Sequence, residues 1–184
     1  STFKPVVASG ALQCGAVSRT ESIDCHNGTY EVPGHRRTLE DTHAMGVVPF
    51  ADVIVYSSNI GMGIIGERVG NERLHEIVRR FGFGEKTGIG FPLEDAGIVR
   101  PLKEWSSLSA TSVPMGYEIA VTPLQLATAY CARALMRSTC PCKVWPGFTR
   151  SRGEPRFCSP FFFLDSVAKM YGPAAGSIED LYKY

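Results

Sequence analysis

Helix and turn signals are confined to the first 131 residues of this 184-residue chain, and that boundary limits its folded part more than any other feature. Asn71 can cap a helix whose apolar positions Leu74, Ile77, Val78 and Phe81 fall at three- and four-residue steps, with Gly82 as its stop. Thr122-Pro123-Leu124-Gln125 has the form of a capping box: the Thr hydroxyl and the Gln side chain satisfy each other's backbone amides, and Pro takes the first helical position. It predicts a helix from Pro123 to about Leu135. Between these signals, Thr87 to Pro101 is rich in Gly and Pro with short apolar pairs (Ile89, Phe91, Ile98, Val99), which suits small strands or turns. Residues 14–46 hold Gly15, Gly28, Pro33, Gly34 and Gly46 and read as a long loop or weak hairpin. After Cys131 the pattern stops. Pro141, Pro146, Pro155, Pro160 and Pro173 are scattered through a stretch with no sustained apolar period, which reads as loop-rich.

The length suits one domain, and 44% hydrophobic with 20% charged residues argues against disorder throughout and against a coiled coil. A net charge of +1 supplies no field to attract nucleic acid or an anionic membrane, so no nucleic-acid partner is expected. The charge is unevenly spread: residues 1–131 carry 11 Lys/Arg against 14 Asp/Glu, and residues 132–184 carry 8 against 4, a basic tail. The most apolar stretch, Val47 to Gly66, is broken by Pro49, Asp52, Ser57, Ser58 and Asn59, so no transmembrane segment is expected. The chain opens Ser1-Thr2-Phe3-Lys4-Pro5 with no initiator Met and no apolar signal segment, and reads as a fragment. Six cysteines, at positions 14, 25, 131, 140, 142 and 158, match no zinc spacing. Cys14 and Cys25 could close a disulfide or remain free thiols, and Cys140-Pro141-Cys142 is too short for a Cys-x-x-Cys redox pair. His26, His35, His43 and His75 share no ligand spacing, so neither a metal nor a cofactor is expected. Arg36-Arg37 and Arg79-Arg80 read as solvated faces.

Chemistry enters with Ser1 and Lys4. If this segment is helical, residues three apart share a face, and the Lys nitrogen can reach the Ser hydroxyl. A serine hydroxyl is a weak nucleophile until a base takes its proton, and a desolvated, neutral Lys can be that base. Pro5 is tolerated in a first helical turn. Alone, Ser-x-x-Lys is a weak signal that also fits a solvated helix start. The second signal is Tyr56-Ser57-Ser58-Asn59-Ile60-Gly61, small polar residues between the apolar runs 53–55 and 60–65. It fits a helix–helix connection capped by Ser or Asn. It equally fits a site in which Ser57 takes part in proton transfer and Asn59 holds a substrate amide. Asp41 and His43 could orient one another near Ser57, with a structural hydrogen bond the favoured role.

Together, Ser-Thr-Phe-Lys-Pro at 1–5, Ser-Ser-Asn-Ile-Gly at 57–61, Phe-Gly-Phe-Gly-Glu-Lys-Thr-Gly-Ile at 81–89 and Gly-Tyr-Glu-Ile-Ala-Val-Thr-Pro-Leu-Gln-Leu-Ala at 116–127 closely resemble the transpeptidase domain of high-molecular-weight penicillin-binding proteins. The match is best to the monofunctional type that serves cell division, elongation or sporulation, with Asp41-Thr42-His43-Ala44-Met45-Gly46 where that type has an Asp-x-His-Gly-like stretch. The resemblance spans residues 1 to about 131 as a partial transpeptidase domain. It implies a mainly α chain: the helical part of the α/β fold shared with serine β-lactamases, its central antiparallel sheet largely missing, with at most short strands near residues 87–101 and in the tail. It also implies Ser1 as the acylated nucleophile, Lys4 as its base, and Ser57 and Asn59 as the second active-site motif.

The family's third element is a Lys-Thr-Gly or Lys-Ser-Gly on a sheet strand facing the nucleophile. The only such triplet here, Lys86-Thr87-Gly88, lies in the part the resemblance makes helical and is expected to stand well away from Ser1. The catalytic triplet should fall at or past Tyr184, so the catalytic strand is expected to be absent or destroyed. Residues 132–184 depart from the family, and their gain of Arg, Pro and Cys reads as a frame shift or assembly artefact ahead of a divergent segment. The implied function is a peptidoglycan D,D-transpeptidase that forms a serine acyl-enzyme with D-Ala-D-Ala stem peptides and is acylated by β-lactams. Alternatives are a D,D-carboxypeptidase, a penicillin sensor, or an inactive fragment with at most an interaction role. Divisome or elongasome partners and a place on the extracytoplasmic face of the cytoplasmic membrane follow from the same resemblance.

Overall fold

Helix α3, Asn59–Val69, is the centre about which the other elements pack, because its sequence leaves little side chain on the faces that meet neighbours. Ile60, Met62 and Ile65 are fully buried, and Gly61, Gly63 and Gly66 let other segments approach the backbone. A Cβ on Gly66 would fall 2.0 Å from the Ala110 carbonyl oxygen and 2.4 Å from Pro114. A computed structural model of the chain describes residues 1–90 and 92–135, the last five as helix backbone only. The expectations for residues 132–184 therefore lie almost wholly outside the described residues.

Around α3 stand α1 (Lys4–Gln13), α2 (Phe50–Val55), α4 (Asn71–Arg80) and α5 (Ser109–Ser112), and α6 (Pro123–Leu135) follows in the chain. Helix α1 buries Val6, Val7, Ala8, Gly10 and Ala11, so it is a core helix and not an amphipathic surface one. Helix α4 has the periodicity read from its sequence: Leu74 and Val78 are buried, with Ile77 and Phe81 packed beside them. Its N-cap, however, is Gly70 at φ 77°, and Asn71 is the first helical residue. Asn71 donates through Nδ2 to the Ser106 carbonyl at 2.9 Å, while its Oδ1, the atom a cap would use, accepts no hydrogen bond among the described residues, so the expected local cap is not formed.

Strands are short. Among the described residues they form three antiparallel pairs: β1 (Ser22–Asp24) with β4 (Val47–Pro49), β2 (Thr29–Glu31) with β3 (Thr38–Glu40), and β5 (Ile98–Val99) with β6 (Ile119–Ala120). The mainly α expectation holds, and the strand near residues 87–101 is β5. The weak hairpin expected within residues 14–46 is the β2–β3 pair, in register Tyr30 opposite Leu39. Cys14 and Cys25 are free thiols, one exposed and one buried.

The capping box of α6 forms as read: Thr122 N donates to Gln125 Oε1 at 2.9 Å, and Gln125 N donates to Thr122 Oγ1 at 3.1 Å. Gln125 goes further, its Nε2 donating to the carbonyls of Glu85 at 2.8 Å and Ala96 at 2.7 Å, which closes the loop between them. Gln125→Ala is expected to cost about 1–3 kcal/mol, since two hydrogen bonds from a buried side-chain amide are lost at about 0.5–1.5 kcal/mol each. Hydrogen exchange checks this: amides of residues 85–97 should open before those of α3, and uniform protection would contradict it. Two charge readings are corrected. Arg37 Nη1 donates to Ser112 Oγ at 2.5 Å, and Arg79 holds the Phe83 and Gly84 carbonyls, both at 3.3 Å, and pairs with Glu85. These arginines are structural clamps: Arg37 ties the β2–β3 hairpin to the end of α5, and Arg79 closes the turn that follows its own helix. Arg80 pairs with Glu76 one helical turn away.

Candidate active site

The residues ahead of α1 are held from two sides. Phe3, 4% exposed, packs edge-on against Phe83 with ring centroids 5.2 Å apart. Tyr130 of α6 donates its hydroxyl to the Thr2 carbonyl at 2.8 Å. Ser1 therefore sits in a turn before the helix, with Lys4 N donating to its carbonyl at 3.2 Å, and not on a helical face shared with Lys4. Pro5, second residue of α1, needs no intrahelical donor there.

Lys4 starts α1 and is 2% exposed, pointing into the gap between α2 and α3. That gap is shaped by a backbone reversal. Helix α2 ends at Val55, Ser57 adopts a left-handed φ of 55°, uncommon for a residue with a side chain, and Ser58 caps α3 by accepting from Gly61 N at 2.8 Å. The reversal turns both the carbonyl and the hydroxyl of Ser57 toward Lys4. Lys4 Nζ donates to Ser57 O, to Ser57 Oγ at 3.0 Å and to Asn59 Oδ1 at 2.8 Å, so all three ammonium protons have acceptors. Ser57 Oγ in turn donates to Ser1 Oγ at 3.0 Å. No hydrogen bond joins Lys4 Nζ to Ser1 Oγ directly; Ser57 stands between them. Asn59 is held at its other end as well, Nδ2 donating to the Glu40 carbonyl at 3.1 Å.

The structure thus brings Ser1, Lys4, Ser57 and Asn59 together, although Lys4 and Ser57 lie 53 positions apart. Burial pushes the Lys4 pKa below the ordinary lysine value of 10.5, and the nearby Asp41 carboxylate partly offsets the fall. A lysine so placed can release a proton more readily than one in water, and the serine chain gives that proton a path.

Asp41 is the residue whose place the sequence left open. Its carboxylate accepts from Ser58 Oγ and Asn59 N, both at 2.5 Å, and from Ile60 N at 3.1 Å, all at the start of α3. No hydrogen bond or ion pair links it to exposed His43. Lys86 is exposed in the Gln125-clamped loop, beside Glu94, whose carboxylate accepts from Thr87 N and Gly88 N. It makes no hydrogen bond to the serine–lysine group. The sequence reading puts Asp41 near Ser57 but pairs it with His43; its actual partners lie 17 to 19 positions away, and no local period spans them.

His26 packs on Tyr30 and His75 on Trp105, with ring centroids 4.8 and 5.3 Å apart. Among the described residues no helix is long and apolar enough to cross a membrane.

The family model described as penicillin binding protein transpeptidase domain matches residues 1–135. The chain is 35% identical over 140 residues to penicillin-binding protein PbpB of Mycobacterium tuberculosis, covering 73% of this chain and 20% of that protein. It is 31% identical over 130 residues to peptidoglycan D,D-transpeptidase FtsI of Escherichia coli, covering 71% and 21%. A crystal structure of penicillin binding protein 3 from Mycobacterium tuberculosis complexed with aztreonam superposes with a TM-score of 0.67 at 35% identity, covering 74% of this chain and 30% of that one. The chain spans about a fifth of the length of these curated relatives.

Proposed function

The chain belongs to the penicillin-binding protein transpeptidase family, and from that premise we propose that it carries the nucleophilic part of a peptidoglycan D,D-transpeptidase site in which Ser1 forms an acyl-enzyme. The observation that carries the proposal is the line of hydrogen bonds from Lys4 Nζ to Ser57 Oγ to Ser1 Oγ, with steps of 3.0 Å. With Lys4 charged, the donors run from Lys4 toward Ser1. With Lys4 neutral the direction reverses: Ser1 donates to Ser57, Ser57 to Lys4, and the Ser1 oxygen becomes a nucleophile.

On a stem peptide ending in D-Ala-D-Ala, the Ser1 oxygen bonds to the carbonyl carbon of the penultimate residue. The C–N bond to the terminal D-Ala breaks, and the proton taken from Ser1 passes through Ser57 and Lys4 to the leaving amine. An acceptor amine from a neighbouring strand then attacks the ester, gives its proton to the same chain, and releases Ser1. A β-lactam acylates Ser1 by opening its ring amide and leaves no small amine to depart. Support for these substrates comes from the relatives, one a peptidoglycan D,D-transpeptidase and one a penicillin binding protein complexed with aztreonam. The working place of such chemistry is the cell envelope, on the extracytoplasmic face of the membrane. Residues 1–131 are read as the partial transpeptidase domain, and residues 132–184 as a divergent or frame-shifted tail; the family match itself runs to residue 135.

The test is labelling with a fluorescent penicillin. A chimera of Escherichia coli FtsI with residues 1–135 of this chain in place of its own segment is expected to form a denaturation-stable adduct mapping to Ser1, and Ser1→Ala to form none. In the family the strand bearing the third triplet supplies one oxyanion donor, so the 184-residue chain, whose single Lys-Thr-Gly is the loop triplet at 86–88, should label at least about 10²-fold more slowly, the effect of losing one such donor. A folded chimera that takes no label, or takes it equally in Ser1→Ala, would remove Ser1 from the mechanism.

A further inference from the structure

Next to the serine–lysine group stands Asp41, whose carboxylate accepts three hydrogen bonds, and its surroundings form a built platform. Its backbone N donates to the Gly28 carbonyl at 3.2 Å, which anchors it to the β2–β3 hairpin. Leu39 of that hairpin is buried against Gly63 of α3, where a Cβ would come within 2.6 Å of it. From this platform two consecutive residues reach the start of α3: the Glu40 carbonyl accepts from Asn59 Nδ2, and the Asp41 carboxylate accepts from Ser58 Oγ, Asn59 N and Ile60 N.

These contacts meet two needs at once. The first amides of a helix have no intrahelical acceptor, and a carboxylate placed there satisfies them and complements the helix dipole. Here the helix start also carries the two side chains that face Lys4. Ser57 holds a left-handed backbone, a conformation that persists only where neighbours impose it. Ser58, next in the chain, is fastened on one side by Asp41 and on the other by Gly61 N, and the turn is closed on α2 by Ser57 N and Ser58 N donating to the Ile54 and Val53 carbonyls.

We propose that Asp41 is a positioning residue for the serine–lysine site, the β2–β3 hairpin using its carboxylate to hold the start of α3 so that Ser57 and Asn59 present their oxygens to Lys4. Asp41 touches neither Ser1 nor Lys4 by hydrogen bond, so it acts through Ser58 and the α3 backbone, and through its charge. The other titratable groups facing this cluster are the Ser1 amino group beside Lys4, and Cys25, whose thiol lies 3.4 Å from Ser58 Oγ with Asp24 near it.

The experiment is a nuclear magnetic resonance titration of the full 184-residue chain with carbon-labelled lysine, the Lys4 signal assigned by its loss in Lys4→Met. In Asp41→Asn, which keeps the shape and one acceptor but removes the charge, the Lys4 midpoint is expected to fall by about half a pH unit or more. The Asn59 and Ile60 amides should exchange about tenfold faster or more, as when hydrogen bonds to a charged acceptor are lost. A cap with a purely structural role would raise the exchange and leave the Lys4 midpoint where it is. That result, or wild-type exchange rates, overturns the proposal. Should Asp41→Asn fail to fold, the wild type decides: its Asn59 and Ile60 amides, first in α3, must be protected from exchange, and exchange at the rate of an open amide refutes the contact. The proposal rests on the acyl-enzyme reading only in calling the cluster a site. Labelling at Ser1 tests that reading separately, so Asp41 effects without a Ser1 adduct would refute the acyl-enzyme and leave the positioning contacts standing.

Discussion

Lys4→Met in the FtsI chimera is expected to slow acylation of Ser1 by about 10²–10⁴-fold, the range over which a positioned general base acts. The reason lies in how Lys4 is housed. At 2% exposure its ammonium is poorly solvated, and the three oxygens around it replace water only in part, so its pKa falls below 10.5. The neutral amine, which alone can accept the serine proton, is thus populated at lower pH than in a free lysine. The wild-type rate should rise with pH through this lowered pKa and level off above it. In Lys4→Met that limb should vanish. Lys4→Arg separates base from charge: a guanidinium keeps the charge but does not deprotonate in proteins, so it should be as slow as Met. Acylation rates from fluorescent penicillin between pH 6 and about 10 read both effects, the range being chosen to span the lysine titration. An Arg variant acylating near the wild-type rate would show that Lys4 serves only as a positive charge.

Gly66→Ala should destabilise the chain by about 3 kcal/mol or more, at the upper end of overpacking costs. Alanine is the better helix former by about 1 kcal/mol, so propensity alone would predict a gain. Packing decides the sign. The added methyl would stand 2.0 Å from the Ala110 carbonyl oxygen, a backbone atom of α5, and 2.4 Å from the Pro114 ring, neither of which can swing aside. Helices α3 and α5 must move apart, and the start of α3, which bears Asn59, moves with them. Gly63→Ala is the control: there the methyl meets the Leu39 Cδ1 at 2.6 Å, the far end of a side chain that can change rotamer. Thermal unfolding should place Gly66→Ala roughly 6–12 °C below the parent, at about 2–4 °C per kcal/mol for a chain this long. Gly63→Ala should lie nearer the parent. Equal effects of the two substitutions would mean that the α3–α5 contact is not the tight one.

What could be read from the sequence was whatever is encoded within one turn or one helix. The α6 capping box, the apolar face of α4 and the Ser-Asn connection between α2 and α3 each involve partners at most four residues apart, and each appears in the structure as read. Ser1, Lys4, Ser57 and Asn59 were named from motifs, and the motifs say nothing of how the four meet. Tertiary structure decided that Ser1 lies in a turn and not on a helical face, because Tyr130 and Phe83, far along the chain, hold Thr2 and Phe3. It also decided that Ser57 bridges Ser1 and Lys4, through a left-handed backbone that no local preference of serine favours. Asn71 is the first residue of α4 and reaches a carbonyl 35 positions on, and Arg37 reaches Ser112 75 positions away, contacts that no local pattern encodes. Asp41 is the clearest case. Capping by a carboxylate needs only an acid near a helix start, and which acid arrives there depends on where the β2–β3 hairpin docks on α3. That docking is a matter of Leu39 meeting Gly63, a fit between surfaces that exists only once both elements have formed.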